Sequence, residues 1–389
     1  MGSAKDSGLL DMSWESLAEV LNKELRDGED TYYNESAYRK PYSYAKAFYD
    51  DVFSKQISSQ YSDDILKQKD ELYKLKRQFQ DQRREYNKLL ISDARADHLA
   101  EYLLEAVNNL NKEKTLGTLY HHNDTSNVEA LLVLADWHYG MVTDNIWNRY
   151  NSHICTKRVK ELLEQTIRHL NTHHPNVLNI VILGDMAHGA IHTSARVASD
   201  ELVCDQLIKV SELIAEFVNE LLPYVPQINI YSTYGNHMRT VQDKKDNIYA
   251  DNMEKIIPWW LRQRFANVEE VNVIDSEYHE FIKIDVAGNN ICCVHGDLDK
   301  FKGMGVTANT LFTKLFGETV DYTVSADKHH LEEFESYDIE NILVRSLCGV
   351  DEYANNKRLY SNAGQTLIFF TKDDGRLCTY NINLQNIKK

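Results

Sequence analysis

LLVLADWHYG, at residues 131–140, joins an apolar run to two polar side chains. An uninterrupted series of leucine and valine is typical of a strand that is buried on both faces. Asp136 and His138 come directly after this run, where open α/β sheets place their ligand-binding residues. The stretch therefore predicts a buried strand whose carboxyl end carries functional side chains.

The same pattern, an apolar strand ending in polar residues, occurs three more times. NIVILGDMAH (179–188) runs into Asp185, INIYSTYGNH (228–237) runs into Asn236 and His237, and NNICCVHGD (289–297) runs into His295. We expect these four strands to deliver their polar residues to one edge of a sheet. Carboxylate, imidazole and amide groups in this combination are the ligands of a two-metal hydrolytic site, so the residues predict a binuclear metallohydrolase.

The composition is that of a globular protein. The chain has 389 residues, of which 43% are hydrophobic and 26% are charged, enough for two or three domains and a large core. No apolar stretch approaches the length of a membrane span, and MGSAKDSGLL at the amino terminus lacks a basic segment followed by an apolar one. We therefore expect a cytoplasmic protein without membrane contact.

The net charge of −16 disfavours non-specific binding of polyanions over the whole surface. A local basic patch and bound divalent cations could still carry a contact with nucleic acid. The charge therefore leaves a nucleic-acid substrate open.

Residues 1–58 are predicted to form a small helical unit. Asp11 or Ser13 can cap an amphipathic helix, and Asn34 can cap a short helix over 35–40 that Pro41 ends or offsets. This is the outline of a helix-turn-helix, in which Arg39 and Lys40 could contact DNA. Any small helical hairpin would have the same pattern.

Residues 59–115 are predicted to form a long helix, because 60–112 contain neither glycine nor proline. Its apolar residues follow a heptad spacing and then continue as a stripe: Ile65, Leu72, Leu75, Phe79, Tyr86, Leu89, Leu99, Leu103, Val107 and Leu110. The helix would pair with itself in a homo-oligomer or pack on the catalytic domain. Residues 66–95 contain nine basic and five acidic side chains. This excess of positive charge predicts either a surface that binds the phosphate backbone of a nucleic acid or a face of the helix that is only solvated.

A linker over 116–128 precedes the predicted catalytic domain, 129–389. Strands alternate there with helical stretches at 156–172 and 196–222, the sign of βαβ units. Beyond residue 268 the strands are shorter and closer, and Asp374-Gly375 marks a hairpin turn. The pattern predicts an α/β fold in which two sheets pack face to face with helices outside, a four-layer α-β-β-α sandwich.

The order of the motifs Asp136-x-His138, Gly184-Asp185, Gly235-Asn236-His237 and His295-Gly296 resembles that of the calcineurin-like metallophosphoesterases. The resemblance covers roughly 129–385. It implies two divalent metal ions as cofactors. Asp136 and His138 would bind the first ion, Asp185 would bridge both, and Asn236 and His295 would bind the second.

The last motif of that family, Gly-His-x-His, is altered in this chain. The matching residues are Ala326-Asp327-Lys328-His329, so that His329 would complete the first site and Asp327 replaces a histidine at the second. A carboxylate ligand favours a harder ion, which makes Mn²⁺ the expected metal, with Fe, Zn and Mg as alternatives. Two further alternatives are a weak second site and replacement of the missing ligand by His330.

The resemblance also implies the chemistry. Two cations about 3.5–4 Å apart acidify a bridging water and neutralise the phosphate oxygens, which permits in-line attack at phosphorus. His237 would face the scissile bond and protonate the leaving oxygen. Arg239 could contact a phosphate or serve only at the surface.

The substrate is inferred from what surrounds the motifs. The chain lacks the Gly-Asp-x-x-Asp-Arg-Gly and Gly-Asn-His-Glu sequences of protein phosphatases, and His188 instead resembles a histidine of the double-strand-break-repair nucleases. His188 would contact the substrate phosphate, or it would contact the metal ligands and hold them in position. The amino-terminal helical region also resembles that of phage-encoded metallophosphoesterases.

We therefore expect a metal-dependent phosphodiesterase that acts on DNA, as an exonuclease or a nicking endonuclease. One alternative is a phosphatase or phosphodiesterase acting on a nucleotide, small molecule or protein. The other is a non-enzymatic DNA-binding protein whose metal site is impaired by Asp327.

Overall fold

The computed structural model describes residues 1–26, 32–53, 71–83, 100–117, 126–189, 191 and 198–386. The chain divides into two compact units, residues 1–96 and 97–389. The described α-helices are Gly2–Asp6, Trp14–Leu25, Glu35–Phe48, 71–83, 100–113, Ser152–His173, Val203–Leu221, Ile256–Arg264, Met304–Leu315 and Glu352–Lys357. None of them is both long and apolar enough to cross a membrane.

Two capped helices form the first part of the amino-terminal unit. Ser13, one of the two predicted caps, accepts a hydrogen bond from the Ser16 amide at 3.1 Å, and Asn34 accepts one from the Ala37 amide at 3.2 Å. Both caps satisfy amide groups that have no partner inside the helix. The two helix starts predicted from the sequence are confirmed.

The second helix does not end at Pro41, which was one of the two outcomes predicted there. The helix Glu35–Phe48 continues through Pro41. A proline inside a helix costs about 3 kcal/mol, and contacts with the preceding helix oppose that cost. The Tyr38 hydroxyl donates to Asn22 Oδ1 at 2.6 Å, and the Tyr42 ring lies 5.6 Å from that of Trp14.

The predicted long helix is described in two pieces, since 54–70 and 84–99 lie outside the described residues. In 71–83, the side chains of Leu72, Leu75 and Phe79 are exposed. In 100–113, Leu103 and Val107 are buried against Trp260. The later part of the apolar stripe therefore packs on the helix Ile256–Arg264 within the second compact unit, whereas the continuity of the long helix stays a prediction.

The first sheet has six strands: β1 Val128–Leu134, β4 Val177–Ile182, β5 Gln227–Ser232, β6 Val271–Val273, β12 Gly364–Thr371 and β13 Gly375–Asn383. Their order across the sheet is β13-β12-β1-β4-β5-β6. β1, β4, β5 and β6 are parallel, and β12 and β13 are added at one edge by antiparallel pairing. The hairpin predicted at Asp374-Gly375 joins β12 to β13.

The second sheet has five strands: β7 Ile282–Val286, β8 Asn289–Val294, β9 Tyr322–Ser325, β10 Glu332–Ser336 and β11 Ile339–Leu343. Their order across the sheet is β10-β11-β9-β8-β7. A short pair, β2 Thr143–Asp144 and β3 Arg149–Tyr150, lies outside both sheets. The sequence did not indicate the β10–β11 hairpin. Its turn places Tyr337 and Asp338 at φ values of 52° and 64° and contains no glycine to mark it.

Alternation along β1 shows how the layers pack. Leu132 and Leu134 belong to the core beneath the helices Ser152–His173 and Val203–Leu221, whereas Leu131 and Val133 face the second sheet. The helix Met304–Leu315 covers the far side of the second sheet. The predicted four-layer α-β-β-α sandwich is confirmed.

One expectation about the site requires correction. β8, which carries His295 at its end, belongs to the second sheet and pairs with β7 and β9. The four strands therefore do not end at one edge of a single sheet. The local apolar pattern of a buried strand is the same in either sheet, because sheet membership is decided by long-range pairing.

Candidate metal centre

Loops at the ends of strands from both sheets bring the polar side chains together. Asp136, Asp185 and Asn236 follow β1, β4 and β5 of the first sheet, and His295 and Asp327 follow β8 and β9 of the second. The sheets pack face to face, so their strand ends form a common edge. The distances among the side chains divide them into two groups around Asp185.

The first group contains Asp136, His138 and His329. His138 Nε2 lies 3.3 Å from His329 Nε2, which in turn lies 3.7 Å from Asp136 Oδ1. His138 Nε2 also lies 3.9 Å from Asp185 Oδ2. His329 thus lies within 3.7 Å of a carboxylate and of an imidazole, and that imidazole lies beside the Asp185 carboxylate.

The second group contains Asn236, His295 and Asp327. His295 Nε2 lies 3.4 Å from Asp185 Oδ2 and 3.5 Å from Asp327 Oδ1. Asn236 Nδ2 lies 3.0 Å from the same Asp327 oxygen. The Asp327 carboxylate therefore occupies a place among these side chains, whereas His330 contacts the Lys328 carbonyl and Glu332.

Backbone strain is concentrated in these loops. Positive φ values between 46° and 64° occur at Asp136, His138, Asp185, Asp327 and His329. Residues with a Cβ atom adopt this conformation at a cost of about 1–3 kcal/mol each, and such strain clusters at functional sites. These backbone conformations place the side chains in the site, and they raise the conformational energy of the loops.

Two glycines allow the loops after β4 and β5 to touch. A Cβ atom on Gly235 would lie 2.1 Å from Asp185 Oδ1, and one on Gly184 would lie 2.2 Å from the Gly235 amide nitrogen. Any side chain at either position would push Asp185 away from its neighbours. The glycines of both motifs are thus required by close backbone approach.

Burial and mutual charge shift the pKa values of these groups. Burial raises the pKa of Asp136 to about 6 and lowers that of His138 well below its usual value. Burial also opposes the charged forms of Asp185 and His295. The attraction between this carboxylate and the neighbouring imidazoles nevertheless lowers the pKa of Asp185 and raises that of His295.

The donor atoms fit divalent metal ions. The His295 Nδ1–H donates to the Leu183 carbonyl at 2.7 Å, so Nε2, which faces Asp185 and Asp327, is the ring atom that would bind a metal ion. Among the described residues, the buried Asp136 Oδ1 has no hydrogen-bond donor. Asp136, Asp185 and His295 also offer atoms close enough together to hold one ion. Oxygen and imidazole nitrogen are ligands for Mn²⁺, Fe or Zn²⁺.

His188 and His237, the two predicted catalytic residues, lie next to the first group. The His237 Nδ1–H donates to the His188 carbonyl at 2.9 Å, and the His237 amide donates to Asp185 Oδ1 at 2.9 Å. His237 Nε2 lies 4.0 Å from Asp185 Oδ2. The His188 and His237 rings lie 5.9 Å and 4.5 Å from that of His138.

Arg239 has a different role from the predicted phosphate contact. Its guanidinium donates to the carbonyl oxygens of Asn236, Val241 and Gln242 at 2.9–3.0 Å and is 7% exposed. These bonds fold the loop after His237. The other two predicted substrate contacts, Arg39 and Lys40, belong to the amino-terminal unit, where Arg39 pairs with Glu35.

Glu254 is a residue that the sequence analysis missed. Its carboxylate is 2% exposed and accepts hydrogen bonds from the amides of Asp185 at 3.1 Å, Met186 at 2.6 Å and Gly235 at 2.7 Å. Burial and the nearby Asp185 carboxylate raise the pKa of Glu254 to about 7. These hydrogen bonds connect the loop that carries Asp185 to the loop that carries Asn236.

Gln365 and Cys348 were also missed. Gln365 Oε1 accepts hydrogen bonds from the Ala135 amide and the Trp137 indole at 2.8 and 3.1 Å, which fixes the loop after β1. The buried Cys348 sulfur lies within 4.8 Å of donor nitrogens of His138 and His329. No motif in the sequence marks either residue.

Comparison with known proteins gives a family match over the catalytic unit. A family model for the calcineurin-like phosphoesterases matches residues 130–350. The SPbeta prophage-derived protein YonJ of Bacillus subtilis (strain 168) is 24% identical over 392 residues, which covers 96% of this chain and 92% of YonJ.

Solved structures of low sequence identity also match. An archaeal phosphodiesterase is 14% identical, with a TM-score of 0.31, over 61% of this chain and 92% of its own. Vps29 of Entamoeba histolytica, solved with zinc, is 11% identical, with a TM-score of 0.29, over 66% of this chain and 99% of its own.

Proposed function

The chain belongs to the calcineurin-like phosphoesterase family, and we propose that it is a phosphodiesterase that uses two divalent metal ions to cleave DNA. The observation that carries the proposal is the convergence of carboxylate, imidazole and amide groups on both sides of Asp185. The alternative of a site impaired by Asp327 is disfavoured, because the Asp327 carboxylate lies beside His295 and Asn236.

The proposal assigns each ligand a place. Asp136, His138 and His329 would hold one ion, Asn236, His295 and Asp327 would hold the other, and Asp185 would contact both. When bound, such ions neutralise the phosphate oxygens and acidify the water that attacks phosphorus. Asp327 adds an oxygen ligand, which favours Mn²⁺ as the metal.

His237 would donate the proton that the leaving oxygen needs. Since its Nδ1–H is bonded to the His188 carbonyl, the ring orientation is set and Nε2 is the atom that exchanges a proton with substrate. His237 and His188 both line the cavity beside the ligands. The His188 side chain would then contact the substrate close to the leaving oxygen that receives this proton.

DNA is the proposed substrate for two reasons. The protein-phosphatase extensions of the motifs are absent from this sequence, and His188, three residues after Asp185, resembles a histidine of the double-strand-break-repair nucleases. Arg39 and Lys40 on the amino-terminal helical unit remain proposed DNA contacts. The net charge of −16 supports the second candidate, a phosphodiesterase acting on a small nucleotide.

Digestion of end-labelled linear DNA and closed circular DNA in Mn²⁺ tests the proposal. The wild-type chain is expected to cleave, and cleavage of the circle would identify an endonuclease. Asp185→Asn should be inactive because the shared carboxylate loses its charge. Asp144→Asn, at an exposed carboxylate paired with Arg149, is the matched control and should retain activity. If only a small phosphodiester is cleaved, the second candidate is correct.

A further inference from the structure

The proposed ligands line a cavity together with many other side chains. The cavity has a volume of about 1270 Å³, and its lining includes Asp185, Asn236 and His329. Arg345 and much of the segment 349–362, which contains the helix Glu352–Lys357, line the same cavity. A molecule that fills the cavity from the ligands onward would therefore contact this segment as well.

Two exposed aromatic side chains lie next to each other at this segment. Tyr360 lines the cavity and is 53% exposed, and Trp147, 46% exposed, lies with its ring centroid 5.1 Å from that of Tyr360. We call this pair, together with Arg345 and Arg358, the outer wall.

Hydrogen bonds hold the aromatic pair in place without burying it. The Tyr360 hydroxyl donates to Asn362 Oδ1 at 2.8 Å. The Trp147 amide donates to Asn145 Oδ1, and the Trp147 carbonyl accepts from Gln385, both at 3.0 Å. Rigid aromatic faces that remain exposed beside a cavity are suited to contact with a flat ligand.

The outer wall also carries two arginines that form no ion pair among the described residues. Arg345 and Arg358 both line the cavity. Asp351 and Glu352 line it as well and keep their negative charge, but their carboxylates accept hydrogen bonds, Asp351 from the Ala354 amide and Glu352 from Thr143 and Asn145. The cavity thus offers guanidinium groups for phosphates next to aromatic faces for bases.

We propose that the outer wall binds the nucleotide that flanks the scissile phosphate in single-stranded DNA. An unpaired base would stack on the exposed face of Tyr360 or of Trp147, whose rings are tilted by 59° to each other, and the adjoining phosphate would contact Arg345 and Arg358. Stacking of this kind needs a base whose face is not covered by its neighbours, and it tolerates any base sequence. The inference rests on the proposed function and narrows its substrate class to single strands and frayed ends.

Binding without cleavage tests the outer wall separately from catalysis. The full-length Asp185→Asn chain is mixed in Mn²⁺ with a fluorescently labelled single-stranded DNA oligonucleotide, and fluorescence anisotropy gives the Kd. Adding Tyr360→Ala or Trp147→Ala is expected to raise the Kd by about 10-fold to 100-fold. Tyr360→Phe keeps the aromatic face and should restore binding.

The matched control is Tyr337→Ala, at an 88% exposed tyrosine in the β10–β11 turn. It should leave the Kd unchanged, and thermal unfolding of each variant verifies that it is folded. A Kd that is the same for Tyr360→Ala, Trp147→Ala and Tyr337→Ala would overturn the inference. Tighter binding of a blunt duplex or of single-stranded RNA would overturn the assignment to single-stranded DNA.

Failure of the proposed function would give a different result. In that case the wild-type chain cleaves no DNA in Mn²⁺, whatever the Kd values of the variants. A Kd that depends on Tyr360 in a chain that cleaves nothing would support the outer wall as a DNA-binding site and reject the nuclease.

Discussion

Asp327 is the side chain in which this centre departs most from the Gly-His-x-His motif of its family. Its Oδ1 lies 3.0 Å from Asn236 Nδ2 and 3.5 Å from His295 Nε2, and its amide donates to Asp136 Oδ2 at 3.1 Å. Lys328 pairs with its other oxygen. The carboxylate is thus placed to act as a ligand with one oxygen while a cation holds the other.

Replacement of Asp327 should therefore change the metal content. Asp327→Ala is expected to weaken binding of one of two Mn²⁺ ions by at least about 100-fold, because loss of a group that only hydrogen-bonds to a ligand already costs about 10–100-fold. Asp327→His should keep two ions and shift the preference from Mn²⁺ toward Zn²⁺. Isothermal titration with each metal measures both effects.

His330→Ala is the control for this series, since His330 lies three residues away and contacts Glu332. It should bind both ions as the wild type does. Loss of an ion in His330→Ala but not in Asp327→Ala would assign the ligand to His330.

His237 should matter most when the leaving group is poor. His237→Ala is expected to lower kcat on DNA by about 10²–10⁴-fold, the usual contribution of a general acid. The loss should be much smaller for bis(p-nitrophenyl) phosphate, because p-nitrophenolate leaves without a proton. Equal losses on both substrates, measured in steady-state assays, would show that His237 does not act as the acid.

The loops that follow β4 and β5 are held by a group that lies far away in the sequence. Glu254 bonds to the Asp185 amide across 69 positions and also accepts from Met186 and Gly235. Each of these loops carries at least one proposed ligand, so the position of Asp185 relative to Asn236 depends on Glu254.

Loss of Glu254 should destabilise the fold as well as the centre. Glu254→Ala is expected to lower the free energy of unfolding by about 3 kcal/mol or more, because three buried amides each lose a partner at about 1–3 kcal/mol. Glu254→Gln keeps one acceptor oxygen and should lose less. Urea denaturation in EDTA measures both values, and equal losses would point to the charge of Glu254 instead of its hydrogen bonds.

Much of this architecture was predictable from local patterns. Apolar runs marked β1, β4, β5 and β8, and the polar residues after them are those that meet at the common edge. The membership of β8 in the second sheet and the tie through Glu254 were not predictable, because both depend on contacts between distant parts of the chain. The β10–β11 turn was missed because Tyr337-Asp338 lacks the glycine that usually marks a two-residue hairpin turn.

The two compact units of the chain differ in how far the apolar side chains of their helices are exposed. In the catalytic unit, Leu103 and Val107 are buried. In the amino-terminal unit, Leu72, Leu75 and Phe79 are 58%, 64% and 67% exposed and follow a heptad spacing along one helix. We propose that this second set, the heptad face, pairs with its copy in a homodimer.

A charge on the heptad face should separate such a dimer. Phe79→Glu is expected to convert the full-length chain from dimer to monomer, as measured by sedimentation equilibrium at micromolar concentration. Gln78→Glu adds the same charge at the neighbouring exposed residue and should leave the dimer intact. A wild-type chain that sediments as a monomer would contradict the proposal.

Hydrolysis of bis(p-nitrophenyl) phosphate in Mn²⁺ by the full-length chain is the most direct measurement of whether this centre is a phosphodiesterase. The wild type should release p-nitrophenolate, EDTA should stop the reaction, and Asp185→Asn should be inactive while Asp144→Asn remains active. Hydrolysis of p-nitrophenyl phosphate instead of the diester would show a phosphatase. A wild-type chain that cleaves neither compound and retains no metal would contradict the assignment of a working binuclear centre.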